Sequence, residues 1–217
     1  MAVDIDLEFK DYYAEEIYMV ADVETGVLYN RSGRRMLALT DDFLIGFHRA
    51  IEKECGDRAT DILHTCGRRW GNNFGRGLAA EWSEFYGRSF REFPLALFQS
   101  LLMQEFANNG WGLLDIDYQN YGSGVIALSL QGAVMAAIRP NSPIAKADLL
   151  TAGILGGMYS YFLDRDLDCI QSQCAGQGFT ASRFVISSTP RIAKLRTGIA
   201  ADAKHDAIVA SLLQISE

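Results

Sequence analysis

The sequence predicts an α+β fold in which antiparallel strands form hairpins and pack against several helices. Two observations indicate this fold. Three segments, at 26–39, 111–130 and 166–187, show paired apolar runs around a turn that contains glycine, which is typical of a hairpin. Longer segments with apolar residues at helical spacing lie between them. Because the strands come in adjacent pairs, we expect an antiparallel sheet covered on one side by helices.

The first forty residues predict a helix and then a hairpin. Residues 1–25 mix acidic side chains with tyrosines and aliphatic residues, and we expect a short amphipathic helix there. The hairpin pairs 26–30 with 34–39, and its tip carries Arg31, Arg34 and Arg35. A basic hairpin tip can bind an anion, but we favour a solvated turn.

Three helices are expected before the second hairpin, at 41–55, 58–80 and 94–108, and the aromatic, charged segment 82–93 is expected to be an irregular link. Helix 58–80 contains four glycines at short intervals, and they are Gly67, Gly71, Gly75 and Gly77. A glycine face lets another backbone or a planar ligand approach closely. We favour close helix packing.

The segments from residue 111 onwards complete the fold. Strands are expected at 111–118 and 125–130, and 131–138 either extends the second strand or forms a connector. The helix Pro143–Leu163 is apolar on nearly every face, so it is buried or lines an apolar cavity. It is followed by the hairpin Asp166–Ser187, whose turn has Gly176 and Gly178 at expected positive-φ positions. An amphipathic tail covers about 191–215.

Large apolar residues of several helices form the candidate ligand pocket. The alternative is that they fill each other's space, and the sequence leaves both interpretations open. The candidate residues are Trp70, Phe74, Phe98, Phe106, Trp111, Leu150, Ile154, Met158, Tyr159 and Phe162.

Composition narrows the class of function. The net charge of −7 argues against a nucleic acid or an anionic membrane surface as partner. No apolar run reaches the length of a membrane span, and the acidic start does not resemble a secretory signal. The four cysteines show no redox CxxC spacing, so we expect reduced thiols and a cytoplasmic location.

Motifs that would indicate catalysis are missing from the sequence. It contains no P-loop, no GxGxxG between strand and helix, no HExxH and no GxSxG. His48, His64 and His205 are scattered over expected helices. An isolated histidine on a helix most often lies on the surface, or in the core with its hydrogen bonds made. The acidic groups 115–117 and 164–168 are interpreted as solvated turns. A non-catalytic protein is therefore favoured.

The segment 129–187 resembles the 4-vinyl-reductase domain family. The resemblance is carried by NSPIAKADLLTAGILGGMYSYFLDRDLD and QSQCAGQGFTASRFVIS, which match a glycine-bearing apolar helix, a strand ending in cysteine and a glycine turn. That family is similar in fold to small subunits of TRAPP vesicle-tethering complexes and to phenol-sensor domains. The resemblance extends over most of 26–188. It implies a ligand-binding domain there, an N-terminal extension at 1–25 and a helical tail at 189–217.

Zinc-bearing members of the family hold the metal with cysteine and glutamate ligands. The matching positions here are Asp148, Gln171, Cys174 and Ser182. A neutral amide and a hydroxyl are poor ligands beside one thiol and one carboxylate, so we expect no structural zinc.

The resemblance implies a pocket for a hydrophobic small molecule, tetrapyrrole or chlorophyll-related, or lipid-like. It also implies a homodimer and a role in photosynthetic pigment–protein assembly. A first alternative is a scaffold or assembly protein with a filled core that acts through protein surfaces. A second is an accessory component of chlorophyll vinyl reduction. The sequence predicts no definite cofactor, and the resemblance allows either a bound tetrapyrrole or a bound lipid.

Overall fold

Two antiparallel sheets and seven α-helices make up the described part of the chain in this computed structural model, which covers residues 11–13, 18–138, 148–199 and 203–216. The strands are β1 (Met19–Asp22), β2 (Val27–Asn30), β3 (Arg35–Met36), β4 (Leu113–Asp117), β5 (Ile126–Gln131), β6 (Leu167–Gln173) and β7 (Ala181–Ser188). The helices are α1 (Asp41–Cys55), α2 (Ala59–Tyr86), α3 (Leu95–Asn108), α4 (Val134–Ala137), α5 (Leu149–Leu163), α6 (Thr189–Gly198) and α7 (His205–Gln214).

The larger sheet has the strand order β4-β5-β7-β6, with every neighbouring pair antiparallel. The smaller sheet has the order β1-β2-β3. All three predicted hairpins are present. In the turn of the last one Gly178 has φ +87°, as expected, whereas Gly176 does not have a positive φ. The predicted α+β class is therefore confirmed.

Glycines join α2 to α5 at backbone contact. A Cβ at Gly71 would overlap the carbonyl oxygen of Ile154, and one at Gly157 would overlap that of Arg68. At Gly75 the added carbon would lie 3.3 Å from Met158 Cα. The glycine face predicted from the sequence therefore serves helix packing. No planar ligand can enter between these two backbones.

Helices cover both faces of the larger sheet, which differs from the expectation of one covered face. Phe184 and Ile186 of β7 belong to the main core, while Val185 between them packs with a second core beneath α6 and α7. Because successive side chains of a strand point to opposite faces, an apolar run of this kind requires cover on both sides. The tail provides the second cover.

The N-terminal part of the chain contributes to the main core. Tyr12, Tyr13 and Tyr18 are buried there. The prediction of a helix within 1–25 is wrong at 19–22. These residues form β1, which pairs with β2, because both segments contain residues that favour strands. Residues 1–10 and 14–17 lie outside the described residues.

Helix α2 is longer than the sequence suggested. It continues to Tyr86 and ends at Gly87, which has φ +66°. Leu78, Trp82 and Tyr86 are buried at four-residue intervals, so the helical period continues through the segment interpreted as a link. The first residues of the predicted helix Pro143–Leu163, up to 147, lie outside the described residues. No helix in the described part of the chain is long and apolar enough to cross a membrane.

Candidate functional site

A groove with aromatic walls opens between the start of α3, the end of α5 and the turn after β4. We call it the aromatic groove. Its volume is about 340 Å³. It is lined by Phe90, Arg91, Phe93, Leu95, Phe98, Tyr118, Tyr121, Tyr159, Phe162 and Leu163. Phe98 and Phe162 meet edge to face, with ring centroids 5.1 Å apart. Both rings are part of the predicted pocket, and so is Tyr159.

Two phenol groups form a hydrogen-bonded pair in the wall of this groove, which Arg91 and Tyr121 also line. The hydroxyl oxygens of Tyr118 and Tyr159 lie 3.2 Å apart. Burial raises the pKa of both phenols, so each remains a neutral donor and acceptor at physiological pH. An apolar cleft with a few fixed polar groups is the usual form of a small-molecule site. The groove can therefore hold an apolar ring or chain and hydrogen-bond one polar substituent.

A second aromatic cluster lies beside α2 and the segment after α3. The ring centroid of Trp111 is 5.4 Å from that of Trp70, 5.2 Å from that of Phe74 and 5.1 Å from that of Phe106. Trp111 thus contacts the other three rings, Trp70 also contacts Phe74, and none of the four lines the aromatic groove. These four predicted pocket residues therefore form a group apart from the aromatic groove.

The remaining predicted pocket residues lie along α5. Ile154 and Met158 are buried against the glycine face of α2, and Leu150 packs beside them at the margin of the core. They do not line the aromatic groove. Their backbone contact with α2 explains this placement, because it leaves no space for a guest.

The four positions that match zinc ligands are buried and form part of a hydrogen-bonded cluster. The amide nitrogen of Asp148 donates to Gln171 Oε1 at 2.9 Å, and the Gln171 side chain donates to the carbonyl oxygen of Gln173 at 3.2 Å. The amide nitrogen of Ala175 donates to Ser182 Oγ at 3.1 Å. The amide and hydroxyl oxygens are therefore already engaged with backbone groups.

This donor set does not fit zinc. Cys174 is the single thiol in the cluster, and no group of three histidine, cysteine, aspartate or glutamate side chains within the described ranges could hold a metal ion. Strong ligands in tetrahedral number are what a structural zinc requires. The fold at this point depends on hydrogen bonds between protein groups.

One buried carboxylate differs from the sequence interpretation. Asp168 was expected in a solvated turn, but it is buried at the start of β6, and its Oδ1 lies 3.1 Å from His64 Nε2. Arg196 contacts its other oxygen at 3.3 Å. Burial alone would raise the pKa of Asp168, but the hydrogen bond and electrostatic interaction with His64, together with the Arg196 guanidinium, outweigh burial and lower it. Nothing in the spacing of these residues indicated the cluster.

A buried glutamate network also escaped the sequence analysis. Glu105 of α3 accepts hydrogen bonds from the hydroxyls of Tyr13 and Tyr18, the latter at 2.9 Å. Glu81 of α2 accepts one from Tyr12 at 3.0 Å and pairs with Arg34 at 3.1 Å. Burial raises the pKa of Glu105. The tyrosines that bind these acids lie 69 to 92 residues away in sequence, so no local pattern joins them.

The basic hairpin tip is also engaged within the molecule. Besides its ion pair, the Arg34 guanidinium lies 4.9 Å from the ring centroid of Phe74. The Arg31 guanidinium lies 4.3 Å from the ring centroid of Phe85. The tip therefore holds the small sheet against α2 through cation–π contacts.

The other two histidines have local roles. His48 Nδ1 lies 2.9 Å from the carbonyl oxygen of Leu44 within α1. His205 Nδ1 lies 2.6 Å from Ser172 Oγ and joins α7 to β6. Burial lowers the pKa of His205, and the nearby Arg183 lowers it further. His205 and Ser172 do not line the aromatic groove.

Comparison with known proteins gives structural neighbours only. No protein-family model and no curated protein matches the chain. Among solved structures, the phenol-responsive sensory domain of the transcription activator PoxR, determined with phenol, is similar with a TM-score of 0.64 at 15% identity. That similarity covers 92% of this chain and 93% of the sensory domain.

Two further solved structures are similar at lower TM-scores. A vinyl-4-reductase family protein from Methanocaldococcus jannaschii has a TM-score of 0.45 at 14% identity, over 70% of this chain and 83% of that one. A trafficking protein particle complex subunit 3 from Naegleria fowleri, covalently bound to palmitic acid, has a TM-score of 0.46 at 12% identity. That similarity covers 68% of this chain and 93% of the subunit.

The chain is thus an α+β domain with the fold of the phenol-responsive sensory domain. The fold group that the sequence suggested is confirmed by this similarity, since phenol-sensor domains belong to that group.

Proposed function

We propose that this protein is a non-catalytic binding domain for a hydrophobic small molecule, with the aromatic groove as its ligand site. One observation carries the proposal: aromatic walls enclose about 340 Å³ beside the paired hydroxyls of Tyr118 and Tyr159. Such a wall contributes apolar contact area, and the hydroxyls orient a ligand through its polar atom. The fold shared with a phenol-responsive domain supports the same class of function.

The size of the groove limits the ligand. Small-molecule sites usually measure roughly 300–1,000 Å³, and this groove is near the lower end. A single aromatic ring or a short acyl chain fits that volume. A tetrapyrrole, which the sequence resemblance implies, requires α3 and α5 to separate. We therefore rank phenol-like and lipid-like ligands above tetrapyrroles. Roles in pigment–protein assembly or vinyl reduction, which require a tetrapyrrole, rank below binding of these smaller ligands.

Calorimetric titration tests the proposal with phenol, octanoate and protoporphyrin IX as probes. Leu95→Glu places a charge on the wall of the groove at a residue that is 56% exposed, so the core is not disturbed. Leu113→Glu is the matched control, at a residue that is 62% exposed and outside the groove. We expect one probe to bind, and we expect Leu95→Glu to weaken it about tenfold while Leu113→Glu has no effect. Binding of none of the three, or equal losses in both variants, would contradict the proposal.

A second candidate function is assembly through protein surfaces, and helix α1 favours it. Phe43 and Phe47 are 55% and 42% exposed, and their rings stack with centroids 6.4 Å apart. Exposed stacked aromatic rings on one helix face are a common feature of protein interfaces. We propose a second copy of the chain as the partner. Light scattering of wild type and Phe47→Glu tests this: a dimer that becomes a monomer in the variant supports it, and a monomeric wild type contradicts it.

A further inference from the structure

Arg191 of α6 is a buried cation that has no counter-ion among the described residues. Its side chain is 4% exposed. Nη1 donates to the carbonyl oxygens of Ser123 and Gly124 at 2.7 and 3.4 Å, and Nη2 donates to that of Leu212. Within the described residues no carboxylate pairs with this guanidinium, and its buried Nε has no hydrogen-bond partner. Carbonyl dipoles alone offset the charge, and a buried charge is poorly tolerated without an ion of opposite sign.

Arg191 lines a groove of about 730 Å³ on the side of the molecule where α7 and the turn before β5 meet. We call it the arginine groove. Aliphatic side chains form one part of its walls, and they are Ile126, Leu163, Leu167, Ile186, Leu213 and Ile215. Serines and backbone groups form much of the rest. A second cation, the exposed Arg165, also lines it.

The arginine groove is separate from the aromatic groove. The two share Tyr121 and Leu163 at their margins but differ in every other lining residue. They also differ in chemistry. The aromatic groove offers phenol hydroxyls and Arg91 among aromatic rings, whereas the arginine groove offers Arg191 and Arg165 beside aliphatic side chains. A ligand for the arginine groove therefore needs an apolar body and a negative charge.

We propose that the arginine groove is a second binding site and that it takes an organic carboxylate with an apolar body. The carboxylate lies towards Arg191 and Arg165, since guanidinium groups bind carboxylates through charge-assisted hydrogen bonds. The apolar body lies against the aliphatic walls. The site is independent of the ligand proposed for the aromatic groove.

Calorimetry with matched acids and amides tests the site. The probes are benzoate, hexanoate, benzamide and hexanamide, at low salt and neutral pH. We expect at least one acid to bind about tenfold or more tightly than its amide, because only the acid offsets the buried charge. The tighter acid shows whether the site prefers an aromatic or an aliphatic body. Equal affinity for acid and amide, or no binding of either acid at millimolar concentration, would overturn the proposal.

Variants distinguish the two grooves. Arg191→Gln also removes the contacts that tie α6 to α7, so it can fail to fold, and the test uses Leu213→Glu and Arg165→Glu instead. Leu213 is 40% exposed on the wall of the arginine groove. Both changes add repulsion and should weaken acid binding about tenfold. Leu95→Glu is the matched control and should leave acid binding unchanged. Loss in Leu95→Glu with none in Leu213→Glu would assign the acids to the aromatic groove and refute this site.

Discussion

The hydroxyl oxygen of Tyr118 lies 3.2 Å from that of Tyr159, which joins the end of β4 to α5 at the wall of the aromatic groove. Tyr159 is fully buried, whereas Tyr118 is partly exposed towards the groove. Tyr118 is thus the hydroxyl that a ligand can reach, and Tyr159 fixes its direction. We therefore propose that this pair recognises the polar group of a ligand.

Removal of the Tyr118 hydroxyl should weaken the binding of polar ligands and leave the binding of apolar ligands unchanged. In Tyr118→Phe we expect phenol to bind about five- to tenfold more weakly, because one hydrogen bond of about 1 kcal/mol is lost. Toluene, which has no hydroxyl, should bind equally to both proteins. Tyr121→Phe is the control, since Tyr121 lines the same groove and its hydroxyl has no hydrogen bond to any residue in the described ranges. Unchanged phenol affinity in Tyr118→Phe, measured by calorimetry, would contradict this role.

The contact between α2 and α5 should tolerate no side chain at Gly71. We expect Gly71→Ala to lower the free energy of unfolding by about 2 kcal/mol or more, because the new Cβ overlaps the Ile154 carbonyl. Gly46→Ala on α1 is the control, with no atom within 4 Å of its added carbon, and it should raise stability by about 0.5–1 kcal/mol. Urea denaturation measures both. Equal effects of the two changes would show that the helices are not in backbone contact.

The N-terminal tyrosines should stabilise the core through Glu105. Tyr13→Phe removes a hydroxyl that donates to this carboxylate and also accepts from Trp82 Nε1 at 3.3 Å. We expect a loss of about 1–3 kcal/mol, because a buried acceptor and a buried donor each lose a partner. Tyr29→Phe, on the small sheet and without a described side-chain hydrogen bond, should change stability by less than about 0.5 kcal/mol. A similar result for both would mean that the network contributes nothing to stability.

The cluster at the zinc-matching positions should hold without metal. EDTA should leave the melting temperature unchanged, and elemental analysis of the purified protein should show less than stoichiometric zinc. Gln171→Ala should lower stability by about 1–3 kcal/mol, because the buried amide of Asp148 loses its acceptor. The exposed Gln177→Ala in the same hairpin should have little effect. A melting temperature that falls with EDTA would contradict this interpretation.

The contact between α7 and β6 should weaken in acid. Burial, with help from Arg183, lowers the pKa of His205 below its ordinary value of 6.5. The unfolded chain therefore binds a proton more readily than the native protein. The contribution of neutral His205 to the free energy of unfolding is fully present above pH 6.5 and is lost as the pH falls below that value. We expect the melting temperature to fall more between about pH 7.5 and about pH 5.5 in wild type than in His205→Asn, which does not titrate. An equal fall would show that His205 is not the responsible group.

The elements and the fold class could be predicted because they depend on local patterns. Paired strands around glycine turns and apolar residues at helical spacing gave all three hairpins and, in outline, the four helices α1, α2, α3 and α5. The tail was expected as one amphipathic segment and forms α6 and α7. The glycine face of α2 was interpreted correctly, because glycines at four-residue intervals leave a flat surface. The end of α2 was missed where aromatic residues at 82–86 masked a continuing helical period.

The site was only partly predictable, because the sequence does not show which side chains face each other. Phe98, Tyr159 and Phe162 line the aromatic groove, while Trp70, Phe74, Phe106 and Trp111 form a separate cluster. Arg91 and Tyr118 line the groove without any motif to mark them. Arg191 and Asp168 are buried charges whose partners come from distant segments, and only the fold brings them together.

The most direct test of ligand binding at the aromatic groove is a nuclear Overhauser experiment with phenol at saturating concentration. Binding at this groove predicts contacts between the ring protons of phenol and the side chains of Phe98, Tyr118 and Phe162. Contacts with Trp70 and Trp111 instead, or no contacts with any side chain, would contradict it.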